Sequence, residues 1–169
     1  MIINKNDDIM IEEEKIREWL TDEDFLREMK YDENADFHFI IEFPKDNIMD
    51  VVKPTGKDCI VIACATQVAP QHLSLMQSSS KQTHKDFIMQ LNFGLNQFLV
   101  DYELQVQNDI LQQFVVTDQI FEDGLTKNEF IRTVKRVFKA KLHCIWLIDE
   151  KFGNVTVNVT PSNQNDMFI

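Results

Sequence analysis

The apolar positions along the 169 residues change period several times, and each change marks an element. In "IMIEEEKIREWL", Ile9, Ile16, Trp19 and Leu20 fall at helical spacing. Asn6, Asp7 or Asp8 is available as N-cap, and glutamates occupy the early turns that the helix dipole favours. "TDEDFLREMKYDENAD" fits no single period: Phe25, Leu26 and Met29 would continue a helix that Asp32-Glu33-Asn34 would end, so the middle of residues 21–36 receives no assignment. "DFHFIIEFP" alternates instead. Phe37, Phe39, Ile41 and Phe43 share one face, His38 and Glu42 flank Ile40 on the other, and Pro44 closes the strand. "NIMDVVKP" and "DCIVIACAT" read as two further strands, the latter apolar on both faces and therefore central. The turn signal "KPTGKD" between them makes the three an antiparallel meander.

From Pro70 the period is helical again. "QSSSKQT" breaks a short helix from a long one that starts near Ser80, with Phe87, Ile88, Leu91, Leu95, Phe98 and Leu99 as its stripe and Gly94 as an interruption. "YELQVQ" alternates Tyr102, Leu104 and Val106 against Glu103, Gln105 and Gln107, and "QFVVTDQIF" follows as another strand after the Asn108-Asp109 turn.

"IFEDGLTKNEF" poses a choice between a calcium loop and a strand-to-helix corner. With Gly124 at the sixth of twelve loop positions, Gln119 would stand first, Phe121 third and Phe130 last, where acids are required. As a corner every position fits: Asp123-Gly124 turns the chain, Thr126 is the N-cap, Glu129 completes a capping box, and Leu125 and Phe130 form a hydrophobic staple. The expectation is a helix start without calcium. The helix carries an apolar stripe of Phe130, Val134, Val137, Phe138, Leu142 and Ile145, and Gly153 stops it. Its "CIWLI" turns are apolar all round, so they are buried either within the domain or by a second chain, which makes Leu142, Ile145 and Trp146 a candidate partner or dimer surface.

These elements predict an α+β fold: helix, three-stranded antiparallel meander, helix, two strands, C-terminal helix. One domain over residues 1–153 suits the length, with residues 154–169 as a partly flexible tail.

Charge narrows the function classes. The net charge is −11, unevenly spread: residues 1–36 carry 13 acids against 5 bases, whereas residues 126–152 carry 3 against 7. An acidic chain repels phosphate backbones, so no nucleic-acid partner is expected. Neither a membrane-spanning run nor a signal-peptide pattern is present in the sequence, and a cytoplasmic location with no membrane partner is expected. Three cysteines, an odd number, agree with reduced thiols there.

Candidate chemistry is sparse. Cys59 and Cys64 point to opposite faces of a strand and read as core thiols, and His143-Cys144 has no second pair at zinc spacing, so no metal, cofactor or disulfide is expected. His72 and His84 lie in a polar helical region and read as surface residues. His38 has carboxylate company in Glu42 on the same strand face, which makes the two an acid/base candidate. A half-exposed polar face explains the pair more cheaply. No phosphate loop, nucleophile elbow or dinucleotide fingerprint occurs, and four glycines leave little room for one.

The element order resembles the type III secretion chaperone-like fold, including its YbjN-type relatives outside secretion systems, over roughly residues 9–152. "IREWL", "ADFHFIIEFP", "DGLTKNEF" and "CIWLI" are similar to the corresponding phrases of a small uncharacterised archaeal family with this fold. Secretion chaperones of the fold are small, acidic and usually dimeric, and hold an extended segment of a client protein. The resemblance implies a non-catalytic, chaperone-like binding module with a protein partner or a homodimer. The alternative is a small-ligand sensor or enzyme with its site near His38 and Glu42.

Overall fold

The computed structural model describes residues 5–153, with side chains from Glu12 onward. Residues 6–8 already lie within the first helix, Lys5–Asp22, so none of them is the N-cap that their polar side chains suggest; the core role of Ile9 rests on a side chain outside those described, and the tail over 154–169 lies outside the described residues. The architecture is α+β, with four α-helices and one six-stranded sheet among the described residues. The elements are α1 (Lys5–Asp22), β1 (Leu26–Met29), β2 (Ala35–Glu42), β3 (Ile48–Pro54), β4 (Cys59–Gln67), α2 (Pro70–Gln77), α3 (Lys81–Gln97), β5 (Asp101–Gln107), β6 (Ile110–Phe121) and α4 (Lys127–Phe152). The strands bond in the order β1-β2-β3-β4-β6-β5, which makes β1 and β5 the edges of the described sheet. Neighbours β1 to β4 run antiparallel.

The chain divides into two compact units, Met1–Cys64 with Val116–Lys139, and Ala65–Val115 with Ala140–Ile169. In the first, the alternation of β2 sends Phe37, Phe39 and Ile41 into a core shared with Ile16 and Leu20 of α1 and with Phe130, Val134 and Val137 of α4. Each large side chain so buried contributes about 1.5–3 kcal/mol relative to exposure. The Trp19 and Phe130 rings meet at 5.8 Å, joining the two helices across that core. Thr126 caps α4 as its sequence requires, its Oγ accepting from the Glu129 N–H at 3.2 Å. Glu129 does not reach back to complete the box, because its carboxylate bonds Arg136.

β1 is the element the periodicity leaves unassigned. It has four residues, mostly exposed, and its strand form comes from pairing with β2 rather than from its own pattern.

In the second unit, Ser80 caps α3 by accepting from the Thr83 N–H at 3.1 Å. Phe87, Leu91 and Leu95 are buried on one side of α3 together with Cys144 of α4. β5 and β6 form a hairpin whose two turn residues, Asn108 and Asp109, both adopt positive φ (52° and 66°), as a two-residue turn matching strand twist demands. The Tyr102 hydroxyl donates to Asn92 Oδ1 at 2.9 Å, which ties this hairpin to α3.

The histidines of this unit are a correction to the surface reading. His72 and His84 are buried. His84 lies three residues before Phe87 on the apolar side of α3, and its Nε2 meets the Met76 carbonyl at the end of α2 at 2.6 Å. His72 Nε2 lies 3.1 Å from both the Gly153 carbonyl and the Asp149 carboxylate. Each ring satisfies a helix end, which a polar sequence context does not reveal.

Candidate functional site

Among the described residues, two polar clusters, a groove and the apolar turn of α4 stand out as places for chemistry or binding.

On the first unit, β2 presents His38 away from the phenylalanine face. Its side chain has no exposed surface, with Nδ1 3.2 Å from Asp32 Oδ2 and Nε2 2.7 Å from Asp50 Oδ1. Both ring nitrogens are engaged, so the ring fastens the loop after β1 to β3. The Asp32 carboxyl is held below its ordinary range, first by the Asn34 N–H, whose effect exceeds the opposing desolvation, and then by His38.

Glu42, on the same strand, is committed elsewhere. It accepts from the Asp46 N–H and pairs with Arg27, and these two contacts, the backbone donor first, lower its pKa. His38 and Glu42 therefore share a strand face but not a proton path: the structure brings each to different partners.

The second polar cluster centres on Lys53, which alternation places on the core face of β3. It is 2% exposed. Its ammonium donates to the Lys57 carbonyl, to Glu122 at 3.0 Å, and lies 3.7 Å from Glu12. Burial pulls the Lys53 pKa down most strongly, yet Glu122 and Glu12 together outweigh it, and the net shift is upward. Glu12 is itself raised, because its burial exceeds the help from Lys53. Three acceptors around one buried amine make a structural clamp.

The groove belongs to the second unit. An open cavity of about 490 Å³ runs between α3 and the β5–β6 hairpin, its apolar wall formed by Ile88, Met89, Phe93 and Val106. Phe93 is 65% exposed, Met89 57% and Val106 44%. Such an unpartnered group of large side chains beside a strand edge is the kind of surface proteins use for association. A second hollow of about 320 Å³ shares Met89 and Phe93 and is bounded by Lys151 from the last turn of α4. His84 lines the main groove, but its Nδ1 is sealed from solvent and has no hydrogen-bond partner.

Sequence reasoning passed over this groove because it followed the buried stripe of α3. The signal is nevertheless there: Met89 and Phe93 form an apolar i, i+4 pair off the stripe, on a helix surface that should be polar.

The partner or dimer surface expected from the sequence is on α4. Cys144, Leu147 and Ile148 are buried, Leu142 and Ile145 are half-buried, and Trp146 is 64% exposed. The apolar turn is thus covered on most sides and open at its tryptophan.

Among the described residues no cluster of three metal-ligating side chains occurs, and no helix is long and apolar enough to cross a membrane. The three cysteines are buried thiols outside any disulfide.

Comparison with known proteins places these features in a family. A family model described as "Uncharacterized conserved protein (DUF2299)" matches residues 12–148. The crystal structure of an uncharacterized protein from Methanothermobacter thermautotrophicus is 44% identical, covers 83% of this chain and 98% of its own, and superposes with a TM-score of 0.81. The crystal structure of YbjN from E. coli is 19% identical over 81% of this chain and 88% of its own, with a TM-score of 0.45. No curated protein matches the chain.

Proposed function

For this chain, which belongs to the DUF2299 family of uncharacterised conserved proteins, we propose a non-catalytic, chaperone-like role: it holds an extended, apolar segment of a partner protein along α3 and the edge strand β5. The observation that carries this reading is the groove itself, with Met89, Phe93 and Val106 exposed along it. An extended segment adds main-chain hydrogen bonds to a free strand edge while alternate side chains drop into an adjoining apolar groove. β5 is an edge of the described sheet, and Val106 comes from it. The two polar clusters favour no competing reading, since His38 and Lys53 are enclosed by their own partners.

The wider assembly is a homodimer in this reading, with Leu142, Ile145 and Trp146 as the surface that a second copy covers. An exposed tryptophan amid half-buried apolar neighbours is the kind of anchor that dominates association energy.

The test is a titration of fluorescently labelled synthetic peptides with alternating large apolar residues, followed by anisotropy. Binding should weaken about tenfold or more in Phe93→Asp, a loss on the order of 1.4 kcal/mol or above. Absence of binding, or binding indifferent to Phe93→Asp, refutes the proposal.

A further inference from the structure

β5 has two different faces, and one of them belongs to the groove. Tyr102 bonds Asn92 of α3 and Val106 stands in the groove wall, so strand alternation turns Asp101, Glu103, Gln105 and Gln107 to the opposite side of the sheet. All four are exposed. Neither acid joins an ion pair among the described residues, whereas Arg27 on β1, the other edge strand, is already paired with Glu42 of β2. β1 is also short, four residues with a register shift against β2. β5 runs for seven residues with no proline or lysine to discourage a further strand.

The groove repeats at the spacing of a strand. Met89 and Phe93 are four residues apart on α3, about 6 Å along its axis, and every second residue of an extended chain advances about 6.7 Å. Successive same-face side chains of a strand laid along β5 therefore meet Met89 and Phe93 in turn. The intervening side chains point to the other face, beside Asp101 and Glu103, which are themselves two residues apart. The bond between Tyr102 and Asn92 brings the two sets level, since Tyr102 lies between the acids and Asn92 precedes Phe93. Those two acids set the charge of the guest, because like charges paired across strands are destabilising and opposite ones favourable. The net charge of −11 acts in the same direction at longer range. Within the groove, Lys85 and Asp109 supply one charge of each sign, so its interior adds no bias of its own.

We infer that the partner segment taken along α3 and β5 is an amphipathic cationic strand, with large apolar side chains at every second position and lysine or arginine between them. This rests on the reading of the groove as a receptor for extended apolar segments, and adds what the segment carries on its other face. The apolar side chains fill the groove over Met89 and Phe93, and the basic ones meet Asp101 and Glu103 on the solvent side of the sheet. A segment with acids at those positions is rejected by the same two carboxylates, so selection works by repulsion as well as by attraction.

The experiment titrates three fluorescent seven-residue peptides, in which isoleucine alternates with lysine, threonine or glutamate, and follows anisotropy at low salt. The lysine peptide should bind about tenfold more tightly than the glutamate peptide, with the threonine peptide between them, and it should slow amide exchange along residues 101–107. In the double variant Asp101→Asn, Glu103→Gln the lysine-to-glutamate ratio should shrink by about fivefold, while the threonine peptide binds as before. Both side chains are exposed, so the double variant leaves the packing of the fold untouched. Equal affinity for the three peptides, lost in Phe93→Asp, overturns the inference and leaves the groove reading standing, whereas no binding of any peptide removes both. A preference for lysine that survives in full in the double variant places the selection elsewhere on the acidic surface and overturns the inference too. If protection of residues 101–107 in the peptide-free protein fades on dilution, the edge is held by a second copy, and the inference fails on that count as well.

Discussion

Gly94 of α3 sits against the imidazole of His143 on α4 so closely that a methyl group built on its Cα would lie 1.8 Å from the histidine Nε2. The glycine interrupts an otherwise good helical stripe because the two helices touch at that point. Phe98, one turn on from Gly94, also packs against His143, with ring centroids 5.6 Å apart, which limits how far the ring can shift. On an exposed helix, Gly94→Ala would stabilise by about 1 kcal/mol through propensity. Here overpacking reverses the sign, and the substitution should cost about 2 kcal/mol in urea unfolding. Combining it with His143→Ala should recover most of that loss, and an equal loss in the double variant would show that the clash is not with this ring.

Leu99 points the other way. It follows α3 with φ of +56° and is almost fully exposed, so its side chain contributes little packing while its backbone occupies a region that suits glycine. Leu99→Gly should therefore stabilise the protein by about 1 kcal/mol. A loss of stability on thermal or urea unfolding would mean that the leucine has a covering partner in solution.

The Lys53 clamp predicts behaviour at alkaline pH. Its folded pKa lies above the ordinary 10.5, so the stabilisation is complete below that value and is lost as pH rises through the folded pKa. Lys53→Met should cost about 1–3 kcal/mol at neutral pH, less than for a fully enclosed pair because Glu122 remains solvated. Its stability should also fall less steeply than the parent's above pH 10.5. Parallel curves would exclude the amine as the source.

At acid pH the sign is opposite. Asp32 and Glu42 have folded pKa values below 3.8 and 4.5, so their contributions are present above those values and vanish as pH falls through the lowered ones. Asp32→Asn and Glu42→Gln should each flatten the acid limb of the stability curve. The Asp32 change should also loosen His38, seen as a shift of its ring resonances by NMR; unchanged resonances would contradict the contact.

Trp146 tests the assembly. Trp146→Ala should weaken self-association by about 2 kcal/mol, measured by light scattering or sedimentation, while leaving thermal unfolding of the isolated chain nearly unchanged. A parent protein that is monomeric at about tens of micromolar would remove this surface from the proposal.

Much of the secondary structure was legible because it is written in strong periods. The alternation of Phe37, Phe39 and Ile41 and the cap at Thr126 each act locally, so neighbouring residues suffice to read them. β1 was not legible, since "LREM" has no period of its own and becomes a strand through β2. The same limit applied to side chains whose role depends on distant partners. Lys53 read as part of a turn because Glu12 and Glu122 are 41 and 69 residues away. His84 read as exposed because the Met76 carbonyl that fixes it belongs to another helix. At the candidate groove, Met89 and Phe93 were visible as an apolar pair, but the hairpin wall opposite them appears only after β5 and β6 fold.

The boundaries between the two units fall inside β4, β6 and α4 rather than in linkers, and each unit is assembled from separated stretches of chain. During synthesis the amino-terminal 64 residues emerge early, yet the stretch that completes their unit, Val116–Lys139, leaves the ribosome only after Ala65–Val115 has already appeared. Val134 and Val137, which close that first core, are among the later arrivals. A nascent chain stalled before them has only α1 to cover the phenylalanines of β2 and lacks the α4 side of that core, so the yield of this protein in the cell should respond more to holdase chaperones and to elongation rate than its folded stability alone suggests.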